Sequence, residues 1–342
     1  MARRPGMAAL AQAAGVSVAT VDRILNGRQQ VAAATRSLVL EAALRLGHPA
    51  SLRLGAMQTA LPALRLGIIL HKSGQEFYQN LAQEMRTTFA SIPGFWPNLE
   101  LIFASSQAPG EVAGLLRSMG TRCDVIAATA VNHPEITAAV EELKTKGIPV
   151  FALLSDFAQG VRAGYLGLNN LKAGRVAGWM IGLAAKRPGK VAIFVGGTRW
   201  HGHDLRETGF RAYLREERPD LEVLDAMVNL ETRKLTYDTT LTLLAQQPDL
   251  RGIYVAGGGM EGAIAALRQV RQPGEVVLVV NEMTAESRAA LASGWVMMVN
   301  ATPIPDLCRE LSRQMAQAAL GDQMASGAQH FLPLQLYVTE SA

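Results

Sequence analysis

The sequence predicts an α/β protein in which a small three-helix head precedes two doubly wound parallel lobes. Three observations lead there. From Arg65 onward, short apolar runs alternate with helical stretches, the rhythm of parallel strands joined by crossover helices. Ten such runs suit two sheets better than one. Charge is also uneven: residues 1–60 hold seven arginines, no lysine and only Asp22 and Glu41 as acids, a net +5, while the rest of the chain is near neutral. A small basic head on a neutral body is the electrostatic footprint of a polyanion-binding module joined to something else.

The head comes first in the chain. Leu10, Ala11 and Ala14 share one face of a short helix, which Gly15 ends by accepting a left-handed backbone. Val16 plugs the corner. Ser17 is a good N-cap for a second helix, Val18 to Asn26, with Val21, Ile24 and Leu25 inward. A third helix runs through "ATRSLVLEAALRLG", with Leu38, Ala42 and Leu46 near one face, Gly47 at its end and Pro49 beyond. The same residues, behind "MARRPGMAAL", also invite a reading as an export signal. Such a signal needs an unbroken apolar stretch, and Gln12, Asp22 and Arg23 interrupt this one. The helical reading wins, and a cytoplasmic protein is expected. No run is apolar enough for a membrane span.

In the body the strands read, in order, "RLGIIL", "LELIFA", "DVIAAT", "IPVFALL", "GYLGL", "KVAIFVG", "LEVLDAMV", "LRGIYVA", "EVVLVV" and "WVMMV". Helical stretches such as "FYQNLAQEMRTTFA" and "DLRETGFRAYLREE" separate most of them. Ligands in such folds bind beyond the carboxyl ends of the strands, so the turns there are the places to look for chemistry. Cys123 and Cys308 match no metal spacing and read as reduced core thiols. Trp179, inside a helix, reads as core.

The segment "AQAAGVSVATVDRILN", followed by "VAAATR", resembles the DNA-binding head of the lactose-repressor/galactose-repressor (LacI/GalR) family. One position departs from the family pattern, Asp22 standing where Ser is usual. The resemblance implies that Val18, Ala19 and Arg23 face the major groove while Ser17, Thr20 and Asn26 hold phosphates. That division is chemically sound: Arg bonds two acceptors on a guanine edge and small apolar groups pack on thymine methyls, whereas hydroxyls and amides orient a helix on the backbone. Asp22 needs neutralising, by Arg23 or Arg28. Ala32, in place of a capping Ser, forfeits about 1 kcal/mol at the third helix. A linker is expected over 49–64, with Leu54 as the wedge that enters the minor groove.

The remainder resembles the periplasmic-binding-protein type 1 fold of the same family's effector domain, similar to ribose-type sugar-binding proteins. The resemblance implies a lobe of 65–187 with 302–330, and a second of 188–301 with 331–342. It places Gln75, Phe77 and Tyr78 at the cleft, and Asn169, Arg206, Asn281 and Asn300 at ligand-facing turns. Trp200 and His203, in "WHGHD" after a strand, join them as cleft candidates. Asn and Gln both donate and accept, as a polyol requires, and aromatics offer an apolar platform. The implied partners are an operator in double-stranded DNA, a small sugar or polyol effector, and a second copy of the chain.

Rival signals remain. Gly257, Gly259 and Gly262 satisfy G-x-G-x-x-G after a strand, with Glu282 twenty residues beyond, the spacing of a dinucleotide fingerprint. The motif arrives too late in the fold to open a nucleotide-binding half, so no cofactor is expected. Gly257 to Gly259 would instead expose backbone amides to the cleft, which keeps an acidic or phosphorylated ligand open as an alternative. His201, His203 and Asp204 lack a recognisable fourth ligand, so no metal is expected. No nucleophile–base constellation is recognisable, so no enzyme is expected. A transporter's solute-binding protein would fit the body but not the basic head.

Overall fold

The computed structural model describes residues 6–26, 31, 33–51, 54, 62–321 and 328–341. Arg28, Ala32 and most of the expected linker lie outside the described residues. The head begins with α1 (Met7–Ala14), which stops at Gly15 in a left-handed conformation with φ 66°. Next come α2 (Val18–Asn26) and α3 (Ala33–Arg45). The Thr20 N–H donates to Ser17 Oγ at 3.1 Å, so Ser17 caps α2 as expected. The chain bends by 108° between α1 and α2, within the range of a helix-turn-helix. Leu10, Ala14, Val21, Ile24, Val39, Ala42 and Ala43 form the head's core.

Two sequence expectations change here. Leu38 is half exposed, and Val39 takes the inward place, because α3 buries the face through 39, 42 and 43 rather than the one through 38. Leu54 is buried, packed into the core of the head. It is held inside the head here, not presented as a wedge.

The first lobe contains β1 (Ala63–Leu70), α4 (Glu76–Phe89), β2 (Trp96–Phe103), α5 (Pro109–Met119), β3 (Val125–Ala128), α6 (Pro134–Thr145), β4 (Val150–Leu153) and β5 (Gly164–Leu168). There follow α7 (Asn170–Ala184), β6 (Gly189–Val195), α8 (His201–Glu217), β7 (Leu221–Val223), β8 (Met227–Val228), α9 (Arg233–Gln246), β9 (Leu250–Val255), α10 (Met260–Val270), β10 (Val277–Asn281), α11 (Ala285–Ala292) and β11 (Met298–Ala301). The chain ends with α12 (Ile304–Ala319), β12 (Ala328–Leu332) and β13 (Gln335–Tyr337). One sheet runs β12-β5-β4-β3-β1-β2 and is parallel throughout. The other runs β13-β11-β10-β9-β6-β7, with β8 also on β6 and β13 antiparallel at the edge. Central strands β3, β4 and β5 are buried along their whole length, as Val-, Ile- and Leu-rich strands covered on both faces should be.

The structure departs from the expected layout in four further places. "LEVLDAMV" is two short strands, both paired to β6. Strands β12 and β13 had no apolar run to announce them, since both are largely exposed edge strands. Helix α7 packs on α8 and on the second sheet, its Ala177 and Ile181 sharing a core with Val191 and Phe210. The first crossover between lobes therefore falls near residue 169, not 187. Trp179 is 42% exposed, so it lies on the outer face of α7 rather than in the core.

Small residues make the α7–α8 contact possible. A Cβ at Gly174 would stand 1.9 Å from the Arg206 carbonyl oxygen, and one at Gly209 would stand 2.1 Å from that of Leu171. Backbone thus lies on backbone, and this approach brings Asn170 and Arg206 together. Among the described residues no single helix is long and apolar enough to cross a membrane.

Candidate functional site

The carboxyl ends of both sheets face one cleft, lined by Gln75, Phe77, Tyr78, Trp200, His203, Arg206, Gly257 and Asn281. All eight were expected from the sequence. Its volume is about 90 Å³, several times the roughly 10–15 Å³ one water needs. Two expected residues stand elsewhere. Asn169 caps α7, accepting from the Lys172 N–H at 3.0 Å. Asn300 is fully buried and donates to the Ala173 carbonyl at 3.2 Å. The residue facing Arg206 is the next in sequence, Asn170.

Arg206 is nearly buried and held from two sides. Its Nε donates to Asn170 Oδ1 at 2.7 Å and its Nη1 to the Ala256 carbonyl at 2.6 Å. Asn170 in turn donates to Tyr165 Oη at 3.1 Å and the Leu154 carbonyl at 3.2 Å. The guanidinium is therefore fixed before any ligand arrives, which lowers the ordering cost of binding. His203 Nδ1 accepts from the Gly196 N–H at 3.0 Å, so its proton sits on Nε2. Burial pushes its pKa well below the usual value, with Arg206 and Lys72 adding to the shift. The imidazole is neutral.

Several cleft residues were not singled out as ligand-facing by the sequence. Glu231 lines the cleft from the loop before α9 and pairs with Lys72 of the first lobe, both side chains at most 14% exposed. Burial pulls the Lys72 ammonium down, to about 7. Glu282, weighed only as a nucleotide's ribose acid, accepts at Oε1 from Thr302 Oγ1 (2.7 Å) and at Oε2 from the Thr302 N–H (2.9 Å). Burial holds its pKa above the usual carboxylate range. Lys72, Leu154, Glu231 and Glu282 all have φ between 52° and 68°, conformations that non-glycine residues reach only when the surroundings impose them. Behind the cleft, His71 is 1% exposed, with Trp200 edge-on at 5.2 Å. Among the described residues neither of its ring nitrogens has a hydrogen-bond partner, and burial lowers its pKa to about 4.

The lobes touch across the cleft. Ser155 Oγ accepts from the Gly202 N–H (3.0 Å), Gln107 Oε1 from Trp200 Nε1 (3.1 Å) and Glu76 Oε1 from the Ala285 N–H (2.9 Å). The glycine-rich turn has a packing role. A Cβ at Gly257 would meet Glu231 Oε1 at 2.7 Å, one at Gly259 Thr236 Oγ1 at 2.4 Å, and one at Gly262 the Arg233 carbonyl at 2.2 Å. The glycines admit Glu231 and helix α9.

On the head, Val18, Ala19, Arg23 and Asn26 are exposed along α2, beside exposed Ser17 and half-buried Thr20. Among the described residues Asp22 accepts from Asn26 Nδ2 at 2.7 Å, while Arg28 lies outside them. Among the described residues no group of three or more His, Cys, Asp or Glu is placed to hold a metal.

Residues 66–323 match the family model described as "Periplasmic binding protein domain". The chain belongs to that family. Residues 7–49, the head, match the model of the bacterial regulatory proteins of the lacI family. Curated relatives include the HTH-type transcriptional regulators MalR of Streptomyces coelicolor, 31% identical, and reg1 of Streptomyces lividans, 29% identical. Each match spans 163 residues, 47% of this chain and 45% of the relative, so the chain spans about half the length of the curated relatives it matches. Solved structures similar to the periplasmic-binding-protein body include GanP, a glucose-galactose binding protein from Geobacillus stearothermophilus (18% identity, TM-score 0.74, 81% of this chain and 98% of that one). Another is a Burkholderia graminis solute-binding protein in complex with D-arabinose (15% identity, TM-score 0.75, 82% and 96%). At these identities the likeness is one of fold. The periplasmic-binding-protein body and its lacI-type head are the two modules the sequence resemblance implied.

Proposed function

We propose that this chain is a DNA-binding transcriptional regulator, a repressor acting as a homodimer, whose operator occupancy is set by a sugar or polyol held between the lobes. The observation that carries the reading is the joining, in one chain, of an α2 with an exposed reading face to a polar, pre-formed cleft built around Arg206 and Asn170. The curated relatives, both HTH-type transcriptional regulators, support the first half, and the sugar-binding solved structures support the second. A dimer suits helix-turn-helix geometry, in which two heads read the halves of a near-palindrome.

In this mechanism Arg23 reads a base edge while Ser17, Thr20 and Asn26 set the register on phosphates. A ligand bridging residues of both lobes favours one lobe angle over the other. It changes DNA affinity only through that differential affinity. In this reading the cleft works as a sensor, with Glu231, Glu282 and Arg206 engaged by Lys72, Thr302 and Asn170. The test is selection of duplexes from a random pool by the full chain. Enrichment of an inverted repeat, with binding that falls steeply as salt rises, is the expected result. Recovery of unrelated sequences, or of single half-sites only, would refute a dimeric operator reader.

A further inference from the structure

One of the amides expected to invite an anionic ligand, that of Gly258, is already occupied. Glu231 Oε1 accepts from the Gly258 N–H at 2.9 Å, at the turn that opens α10, and Glu231 Oε2 accepts from Lys72 Nζ. His203 Nε2 lies 3.6 Å from Oε1. An amide, an ammonium and an imidazole N–H converge on this carboxylate, the donor set of an anion site. Three glycines make room for it. A Cβ at 257 would press on Oε1 at 2.7 Å, one at 196 on Cγ at 2.5 Å and one at 258 on Cβ at 3.1 Å. The backbone of Glu231 is pinned as well. Its N–H donates to Asn229 Oδ1 at 2.9 Å, its carbonyl accepts from Gln75 Nε2 at 3.0 Å, and its φ is 54°. A left-handed glutamate held at both ends is positioned, not incidental.

We propose that Glu231 is a built-in anion that fills an anion-binding niche in the cleft and thereby makes the site select uncharged ligands over carboxylated or phosphorylated ones. The inference rests on reading the cleft as the effector site, and it names the effector's class: a neutral polyol or sugar. A ligand carboxylate or phosphate would find the niche's donors engaged and a like charge in its path. Removing the carboxylate frees those donors, so the niche then accepts a small anion from solution.

The test uses the full-length protein, its Glu231→Ala variant, and formate and inorganic phosphate as probes, with chloride at equal ionic strength as the control. The alanine variant is expected to unfold at a lower temperature than wild type. Saturating formate should restore on the order of 5 °C of that loss, with little effect on wild type. D-Glucuronate should likewise stabilise the variant and not the wild type. If formate and chloride act alike on the variant, the niche does not bind anions and the proposal fails. Should the variant be recovered only unfolded, refolding with formate against chloride reads the same niche: formate-dependent recovery supports it, and equal recovery overturns it. Neither DNA nor an effector sugar enters this test. A failure here leaves the regulator reading standing, and a failure of the regulator reading leaves this result intact.

Discussion

The head and the cleft use similar polar side chains in opposite ways. On α2, Val18, Ala19, Arg23 and Asn26 stand exposed on a scaffold made by consecutive residues. In the cleft, Arg206, His203 and Asn281 are nearly buried, and the partners of Arg206 and Asn281 come from distant parts of the chain. Arg206, for example, is held by Asn170 and Ala256. The first arrangement fits a large, flat, charged surface such as duplex DNA, which meets outward side chains. The second fits a small molecule, which must be surrounded and must meet groups already fixed in place.

The largest expected effect lies where backbones touch in the body. Gly209→Ala drives a methyl into the Leu171 carbonyl, which has no room to yield. Denaturant unfolding should show a loss of about 3 kcal/mol while the isolated head transition stays put. A loss within about 0.5 kcal/mol would mean that the α7–α8 approach does not hold Arg206 in place.

The next effect is pH dependence, and it too belongs to the body. Burial lowers the His71 pKa to about 4, below its unfolded value near 6.5. The unfolded chain then takes up the proton first, so the contribution of His71 is complete above about pH 6.5 and is lost as pH falls towards 4. The loss is on the order of 3 kcal/mol. His71→Phe should flatten that part of the stability–pH curve. An unchanged curve would remove His71 as its source.

On the head, Arg23→Ala should cost about 1–3 kcal/mol at one base pair of the selected operator. Equal loss on all sequences would reassign Arg23 to a phosphate. Smallest is Ser17→Ala, which removes the cap on α2 and should lower head stability by about 1 kcal/mol, followed by circular dichroism of a head fragment. No change would show that the turn holds without its cap.

The same contrast explains what the sequence could reveal. The head was legible almost residue by residue, because Gly15, Ser17 and the spacing of Val21 and Ile24 are local signals. Its errors were one position on α3, where Leu38 is outside and Val39 inside, and Leu54, which the head buries. In the body the strand rhythm was legible, but not which sheet α7 joins, since packing partners are not written in periodicity. The stripe Gly174, Gly178, Gly182 was the available clue, each facing the backbone or side chains of α8 or the residue just beyond it. In the cleft, motif-matched positions such as Arg206 and Gln75 were found, and Asn170 was missed by one residue. Glu231 carried no local mark. Its role depends on Lys72, 159 positions away, and only the three-dimensional structure joins them.

The central claim is that head and cleft are coupled, and one titration addresses it. A neutral sugar that raises the unfolding temperature of the full chain would be added to the complex of the chain with its selected operator, and DNA affinity measured with and without it. The account predicts a change of about 5- to 150-fold, a coupling of roughly 1–3 kcal/mol. A sugar that stabilises the body yet leaves DNA affinity unchanged would contradict it.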